Sequence, residues 1–205
     1  MEDVPNARIQ SGARWIAREG DARALPEQED RFSAVITSPP YPNRHDYTRV
    51  FGIELMFGFL NWEQTRALRY QSIHSHPEAR PRRPDFNDYS PPNGLGSALS
   101  KMEAANLNAK ILRMLRGYFI DMHLCLKECN RVVRPGGRIA FVVGNVQYCG
   151  CPLQVDELIA EIGAAIGLRT EAVVAVRFRG NSAQQMGRFG RRPSRESVVV
   201  FRKKA

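Results

Sequence analysis

The feature that most constrains this chain is six residues long. Phe32 to Thr37 reads F-S-A-V-I-T, a short apolar run closed by Ser38-Pro39-Pro40-Tyr41. A half-buried strand alternates apolar and polar residues, whereas an unbroken apolar run fits a parallel strand covered on both faces. Two successive prolines then stop the strand: neither can donate to a ladder, and each pushes the residue before it toward extended geometry. The chain must therefore set a stiff turn at the carboxyl end of a buried strand. In α/β sheets that end faces the ligand crevice.

The remainder reads as alternating strands and helices, which predicts an α/β sheet. Arg14 to Arg18 is a short mixed strand ending at Gly20-Asp21-Ala22, and Val50 to Leu60 is apolar enough for a packed helix. Residues 75–97 mix five prolines with Arg80, Arg82 and Arg83, and Asn93-Gly94 reads as a turn. This segment predicts an irregular basic insertion, either a flexible loop or a flap facing DNA or a partner. Met102 to Arg131 has apolar residues at helical spacing up to Arg134-Pro135-Gly136-Gly137, a turn that ends the helix. Arg138 to Gly144 is a strand, Val155 to Ile166 an amphipathic helix stopped by Gly167, and Ala172 to Phe178 and Ser197 to Phe201 are the last two strands. Between those strands lies an arginine-rich loop, 179–196. No repeat divides the 205 residues, so a single domain is expected.

Thirty Lys and Arg against 21 Asp and Glu leave a net charge of +9, the electrostatic footprint of a polyanion-binding surface. No apolar run approaches a membrane span, and Met1-Glu2-Asp3 opens no secretory leader, so a cytoplasmic protein is expected. Cys125 and Cys129 are four apart, and Cys149 and Cys151 flank one residue. Neither spacing is that of a zinc ribbon, so reduced structural thiols and no metal site are expected. His74 and His76 have no Cys or third His at ligand spacing and are assigned no role.

Methyl transfer to an amino group on a base is a chemistry that uses such a Pro-Pro turn. The exocyclic nitrogen is a poor nucleophile because its lone pair is delocalised into the ring. Acceptors aimed at its N–H bonds favour a tetrahedral nitrogen and free the lone pair for attack on a sulfonium methyl; the Ser38 hydroxyl and the Pro39 carbonyl are suitable. Tyr41 offers a flat ring on which an extruded base can stack. In the arginine-rich loop, Arg177, Arg179, Arg188, Arg191, Arg192 and Arg195 suit phosphates, while Asn181, Gln184 and Gln185 suit base edges. His45, Asp46, Tyr47 and Arg49 follow the turn closely and are candidates for a lid over the base, although Asp46 reads best as a helix cap.

T-S-P-P-Y followed by P-N-R-H-D-Y-T-R resembles motif IV of the amino-methylating DNA methyltransferases, in the Ser-Pro-Pro-Tyr form most often found in the cytosine-N4 group. Gly20-Asp21-Ala22 is similar to motif III, R-V-V-R-P-G-G-R-I-A-F-V-V-G-N to the helix, turn and strand that follow, and N-S-A-Q-Q-M-G-R-F-G-R with R-E-S-V-V-V-F-R to the final hairpin. The resemblance implies a Rossmann-like fold, S-adenosylmethionine as methyl donor and DNA as substrate. It implies a catalytic turn of Ser38, Pro39, Pro40 and Tyr41, cofactor contact at Asp21, Ala22 and Thr37, and DNA contact by Arg49, Arg179 and the residues of the 179–196 loop. Taken on its own, Asp21 reads better as a turn cap, and it is the motif context that favours cofactor contact.

The family's Phe-x-Gly-x-Gly cofactor loop has no counterpart in this sequence. Gly94-x-Gly96 follows no strand, and Gly136-Gly137 opens onto a strand where the family has a helix. The expectation is thus a partial fold lacking the first strands, with a second polypeptide supplying the Gly-rich loop. Adenine-N6 or RNA base methylation, and a non-catalytic DNA-binding remnant, are the alternatives.

Overall fold

The computed structural model describes residues 15–180 and 193–205. Its core is a four-stranded mixed sheet in the order β1-β2-β6-β5. β1 (Phe32–Thr37) lies parallel to β2 (Val133–Gly144), and β6 (Ser194–Arg202) runs antiparallel to both β2 and β5 (Arg169–Arg179). A small hairpin, β3 (Val146–Tyr148) and β4 (Cys151–Leu153), follows β2 directly. Cys149 and Gly150 form its turn, both with positive φ, so Cys149-x-Cys151 lies in a tight hairpin.

Helices cover one face of the sheet. α5 (Ala109–Val132) and α6 (Val155–Ala165) pack on Ile139, Phe141, Val143, Val199 and Phe201, all fully buried. α4 (Asn93–Ala104) adds Leu95, Leu99 and Met102 to the same core. α6 approaches the sheet closely because Gly163 lacks a Cβ, which would fall 2.2 Å from Phe201 Cε1. Its end is set by Gly167, with φ +90°, as the sequence predicts.

The opposite face is also apolar, and the described residues leave it open. Ladder partners share a face, so Ile36 lies beside Ala140, Ala140 beside Val200, and Val142 beside Val198, itself beside Val174. Ile36 is 82% exposed and Val174 49%. β1 also pairs on one side only, so its other edge is free among the described residues.

Several sequence expectations are corrected. Residues 15–18 form no strand, and Trp15 and Ile16 project into solvent, because no neighbouring edge pairs with them. The expected packed helix at Val50–Leu60 is two short helices, α1 (Tyr47–Val50) and α2 (Gly52–Gly58), joined at Phe51, and Phe51, Ile53 and Phe57 are exposed. The helix expected from Met102 to Arg131 breaks into α4 and α5, since Asn106 takes a left-handed φ of 59° and Asn108 caps α5 through Lys110 N–H. Asn93-Gly94 begins α4 and makes no turn. Arg134-Pro135-Gly136-Gly137 belongs to β2, where the register with β1 shifts between Phe32 and Ala34. β5 and β6 extend beyond their expected bounds, taking Arg179 and 194–196 out of the arginine-rich loop.

The proline-rich segment is tied down by a charged hub. Asp121 of α5 is fully buried and receives Arg83 Nε at 2.8 Å, Arg23 Nη1 at 3.3 Å and both the backbone N–H and Nδ1 of His74, at 2.9 and 2.8 Å. Burial pushes its carboxyl pKa up, but the hydrogen bonds from His74 and Arg83 outweigh that and hold it below the ordinary value. Cys125 and Cys129 of α5 are buried thiols whose pKa values burial raises, that of Cys129 to about 12. No helix of the described residues is long and apolar enough to cross a membrane.

Candidate functional site

Ser38-Pro39-Pro40-Tyr41 leaves the carboxyl end of β1 and lines a cleft of about 520 Å³ with Asn43, His45, Tyr47, Arg177, Arg179 and Glu196. Ser38 is exposed there, and its Oγ donates to the Val142 carbonyl of β2 at 3.3 Å. A hydroxyl oxygen carries two lone pairs, so Ser38 Oγ has the capacity to accept an incoming N–H. Pro39 is buried and Pro40 half-buried, so the turn is fixed by packing as well as by ring geometry. The loop beyond it is held by a residue that sequence reasoning missed: the buried Tyr148 of the β3–β4 hairpin donates its hydroxyl to the Pro42 carbonyl at 2.6 Å.

Tyr41 separates this cleft from a second one of about 320 Å³, lined by Asn43, Arg44, Gly144, Asn145, Gln147 and Arg195 among others. Its hydroxyl donates to Glu196 Oε1 at 2.5 Å, and the Arg179 guanidinium sits 5.9 Å from its ring centroid. Burial, then the Glu196 hydrogen bond, pushes the phenol pKa up, so the hydroxyl keeps its proton. The ring lies against Gly144 so closely that a Cβ there would fall 2.9 Å from Cδ2 and Cε2. Neither Gly144 nor Glu196 stands out as functional in the sequence. Asn145 braces the end of β2, donating to Gln154 Oε1 at 2.6 Å and accepting Ser194 Oγ–H on its carbonyl at 2.7 Å.

Asp21 and Ala22 are not brought into these clefts. They lie in a turn closed by Ala24 N–H donating to the Asp21 carbonyl, and Ala22 lines a separate hollow with Ile16, Gly20, Leu25 and Phe32. Burial raises the Asp21 carboxyl pKa, and hydrogen bonds from the Arg23 side chain and backbone overcome that and lower it. Arg23 occupies both carboxylate oxygens, at 2.9 and 2.7 Å. Thr37 is half-buried at the end of β1 beside Phe141.

Of the residues expected at DNA, Arg179 reaches the cleft and Arg49 is exposed on α1. Arg177 also lines the cleft, paired with Glu196. Arg195 departs from expectation. Its guanidinium pairs with Asp156, at 2.6 Å, and Glu157, at 2.7 Å, and so braces α6 while lining the second cleft. Asn181, Gln184, Gln185, Arg188, Arg191 and Arg192 lie outside the described residues. Asp46 caps α1, accepting from Thr48 and Arg49 N–H. Asp46, His76 and Glu78 cluster closely enough to hold a metal ion. Asp46 already accepts from Thr48 Oγ1 and from Arg69 Nε, both at 2.6 Å, and His76 Nε2 pairs with Ser72, so the cluster works as an ion-paired brace.

The architecture is that of an α/β domain carrying a proline-locked turn at the mouth of its sheet, with helices packed on one face among the described residues. The sequence places it more closely. The chain is 33% identical to Type II methyltransferase M.BsoBI of Geobacillus stearothermophilus, over 98% of its own length and 43% of that protein's. It is 34% identical to Type II methyltransferase M.AvaI of Nostoc sp., over 88% of its length and 40% of that protein's. Its homologues are thus Type II methyltransferases, and the chain spans less than half of their length. TTHA0409 of Thermus thermophilus, solved with S-adenosyl-L-methionine, is a looser likeness at 17% identity and TM-score 0.43, covering 91% of this chain and 54% of its own. No protein-family model matches the chain.

Proposed function

We propose that this chain is the catalytic part of a site-specific DNA methyltransferase that methylates the exocyclic amino group of cytosine. The observation that carries the reading is the cleft at the end of β1. There Ser38 offers an exposed hydroxyl within hydrogen-bond reach of the Val142 carbonyl, beside the Tyr41 ring and two arginines. In this reading Ser38 Oγ and the Pro39 carbonyl accept from the amino group, Tyr41 stacks on the extruded base, and Arg179 and Arg49 meet phosphates. Asn181, Gln184, Gln185, Arg188, Arg191 and Arg192 complete the DNA-facing set. The Type II methyltransferase relatives support the class of reaction. Ser at position 38 favours cytosine over adenine, through the resemblance alone.

The residues assigned to the cofactor do not fit it by themselves. Arg23 holds the Asp21 carboxylate, Ala22 lines a hollow separate from the Ser38 cleft, and Thr37 supplies one half-buried position on β1. S-adenosylmethionine, which supplies the methyl group when bound, is therefore assigned to a site built largely by a second polypeptide that carries the Gly-rich loop. The free edge of β1 and the uncovered apolar face around Ile36 and Val174 support that assignment, because both-face burial is what an F-S-A-V-I-T strand calls for.

Mass spectrometry of nucleosides from unmethylated plasmid, incubated with S-adenosylmethionine and the chain plus its partner, tests the reading. N4-methylcytosine is expected, and its formation should fall about a hundred-fold in Ser38→Ala, the scale of one preorganised hydrogen bond. N6-methyladenine would move the substrate to adenine, and no methylated base in DNA would overturn the reading. Calorimetric titration of the chain alone with S-adenosylmethionine examines the split: micromolar affinity without a partner would reject it.

A further inference from the structure

We infer that Glu196 is a positioning residue that fixes the orientation of the Tyr41 ring at the junction of the two clefts. The inference rests on the reading of Tyr41 as the platform for the target base. Glu196 sits on β6, where its ladder partners are Gly144 of β2 and Arg177 of β5. Those are the sheet positions directly around the Tyr41 ring: Gly144 leaves room for it, and Arg177 shares its cleft.

A carboxylate that is 5% exposed in mid-sheet is costly unless its oxygens are occupied. Those of Glu196 are. Oε1 accepts from the Tyr41 hydroxyl at 2.5 Å and from Arg179 Nη2 at 3.1 Å, and Oε2 from Arg177 Nε. The Arg177 hydrogen bond above all keeps the carboxyl ionised, and burial holds the phenol protonated, so donor and acceptor are settled at neutral pH. An aromatic ring that rests on a glycine is free to slide in its own plane; a charge-assisted bond at the far end of the phenol removes that freedom. Arg177 and Arg179 in turn hold the carboxylate. A base that stacks on Tyr41 therefore meets a ring whose position is fixed from β6, 155 residues away in sequence.

Three variants, Tyr41→Phe, Glu196→Ala and Glu196→Gln, test this in two independent ways. In the isolated chain labelled with ¹³C-tyrosine, the Tyr41 ring signal is identified by its loss in Tyr41→Phe. It should shift and broaden in Glu196→Ala, and shift less in Glu196→Gln, whose amide oxygen still accepts. In the assembled enzyme, radiolabelled methyl transfer to unmethylated plasmid should lose about ten-fold or more in kcat for Glu196→Ala. KM for DNA should stay within about two-fold, because the phosphate contacts remain. Glu196→Gln should recover most of the loss, and Glu196→Ala should add little in a Tyr41→Phe background. An unmoved Tyr41 signal, or independent multiplication of the two losses, would overturn the inference in favour of a carboxylate that only neutralises Arg177 and Arg179. Should Glu196→Ala fail to fold, Glu196→Gln and Tyr41→Phe carry the same comparison. Absence of methyl transfer by the unmodified enzyme would defeat the reading of the cleft, while the ring signal would still decide whether Glu196 holds Tyr41.

Discussion

Gly144 matters for what it lacks. Its Cα faces the Tyr41 ring at the end of β2, and a methyl group there would sit 2.9 Å from two ring carbons. Because the ring borders open clefts, a shift that strains its Glu196 hydrogen bond relieves the clash, so Gly144→Ala should cost about 1 kcal/mol of stability. It should cost activity instead, with methyl transfer falling about ten-fold or more; thermal melting and plasmid methylation, measured together, separate the two effects. An unchanged rate would mean that the ring's position is not critical. The Ser-Pro-Pro-Tyr turn is legible in the sequence because its geometry is dictated by four adjacent residues. Gly144, Tyr148 and Glu196 are not, since their roles depend on contacts spanning 106 residues for Tyr148 and 155 for Glu196. Asp21 is legible as an acid beside β1, but its ion pair with Arg23, two residues on, is not.

At the scale of elements, α5 carries the group on which the surrounding loops converge. Asp121 joins Arg23 from the segment before β1, Arg83 from the proline-rich segment and His74 just ahead of that segment to one buried carboxylate. Replacing it with Asn leaves the Arg83 guanidinium without its carboxylate and Arg23 with Asp21 alone, which should destabilise the fold by about 3 kcal/mol. The pH dependence has a definite sign. The folded pKa of Asp121 lies below its unfolded value, so its contribution is complete above the ordinary carboxyl range and is lost as pH falls through the folded value. Acid unfolding followed by circular dichroism should therefore show a shallower loss of stability below about pH 4 in Asp121→Asn than in the parent. Equal slopes would remove Asp121 from the acid response. The sequence shows α6 and the β5–β6 pair well, because periodicity and flanking glycines are local signals. It hides the break at Asn106, where a single left-handed residue interrupts an otherwise continuous apolar period, and it hides the anchoring of a basic, proline-rich segment through a buried aspartate.

At the scale of the whole molecule, the described residues form a sheet that is covered unequally. That sheet is apolar on both faces, but only the face toward α5 and α6 is covered, and β1 presents an unpaired edge among the described residues. Soluble domains seldom leave such a surface bare, and an exposed parallel edge invites pairing. If the proposed Gly-rich partner seats there, Ile36 is the most informative position, being 82% exposed on β1 beside that edge. Ile36→Lys should change the stability of the isolated chain by no more than about 0.5 kcal/mol, since its side chain loses little contact. At the seated interface it would bury an unpaired ammonium, and co-purification of the partner should be lost, with S-adenosylmethionine binding by the pair. A second substitution on the buried face, Val199→Ala, gives the contrasting result: lower melting temperature with the partner still retained. If Ile36→Lys left the pair intact, the partner would have to sit elsewhere, and the apolar face would need another occupant.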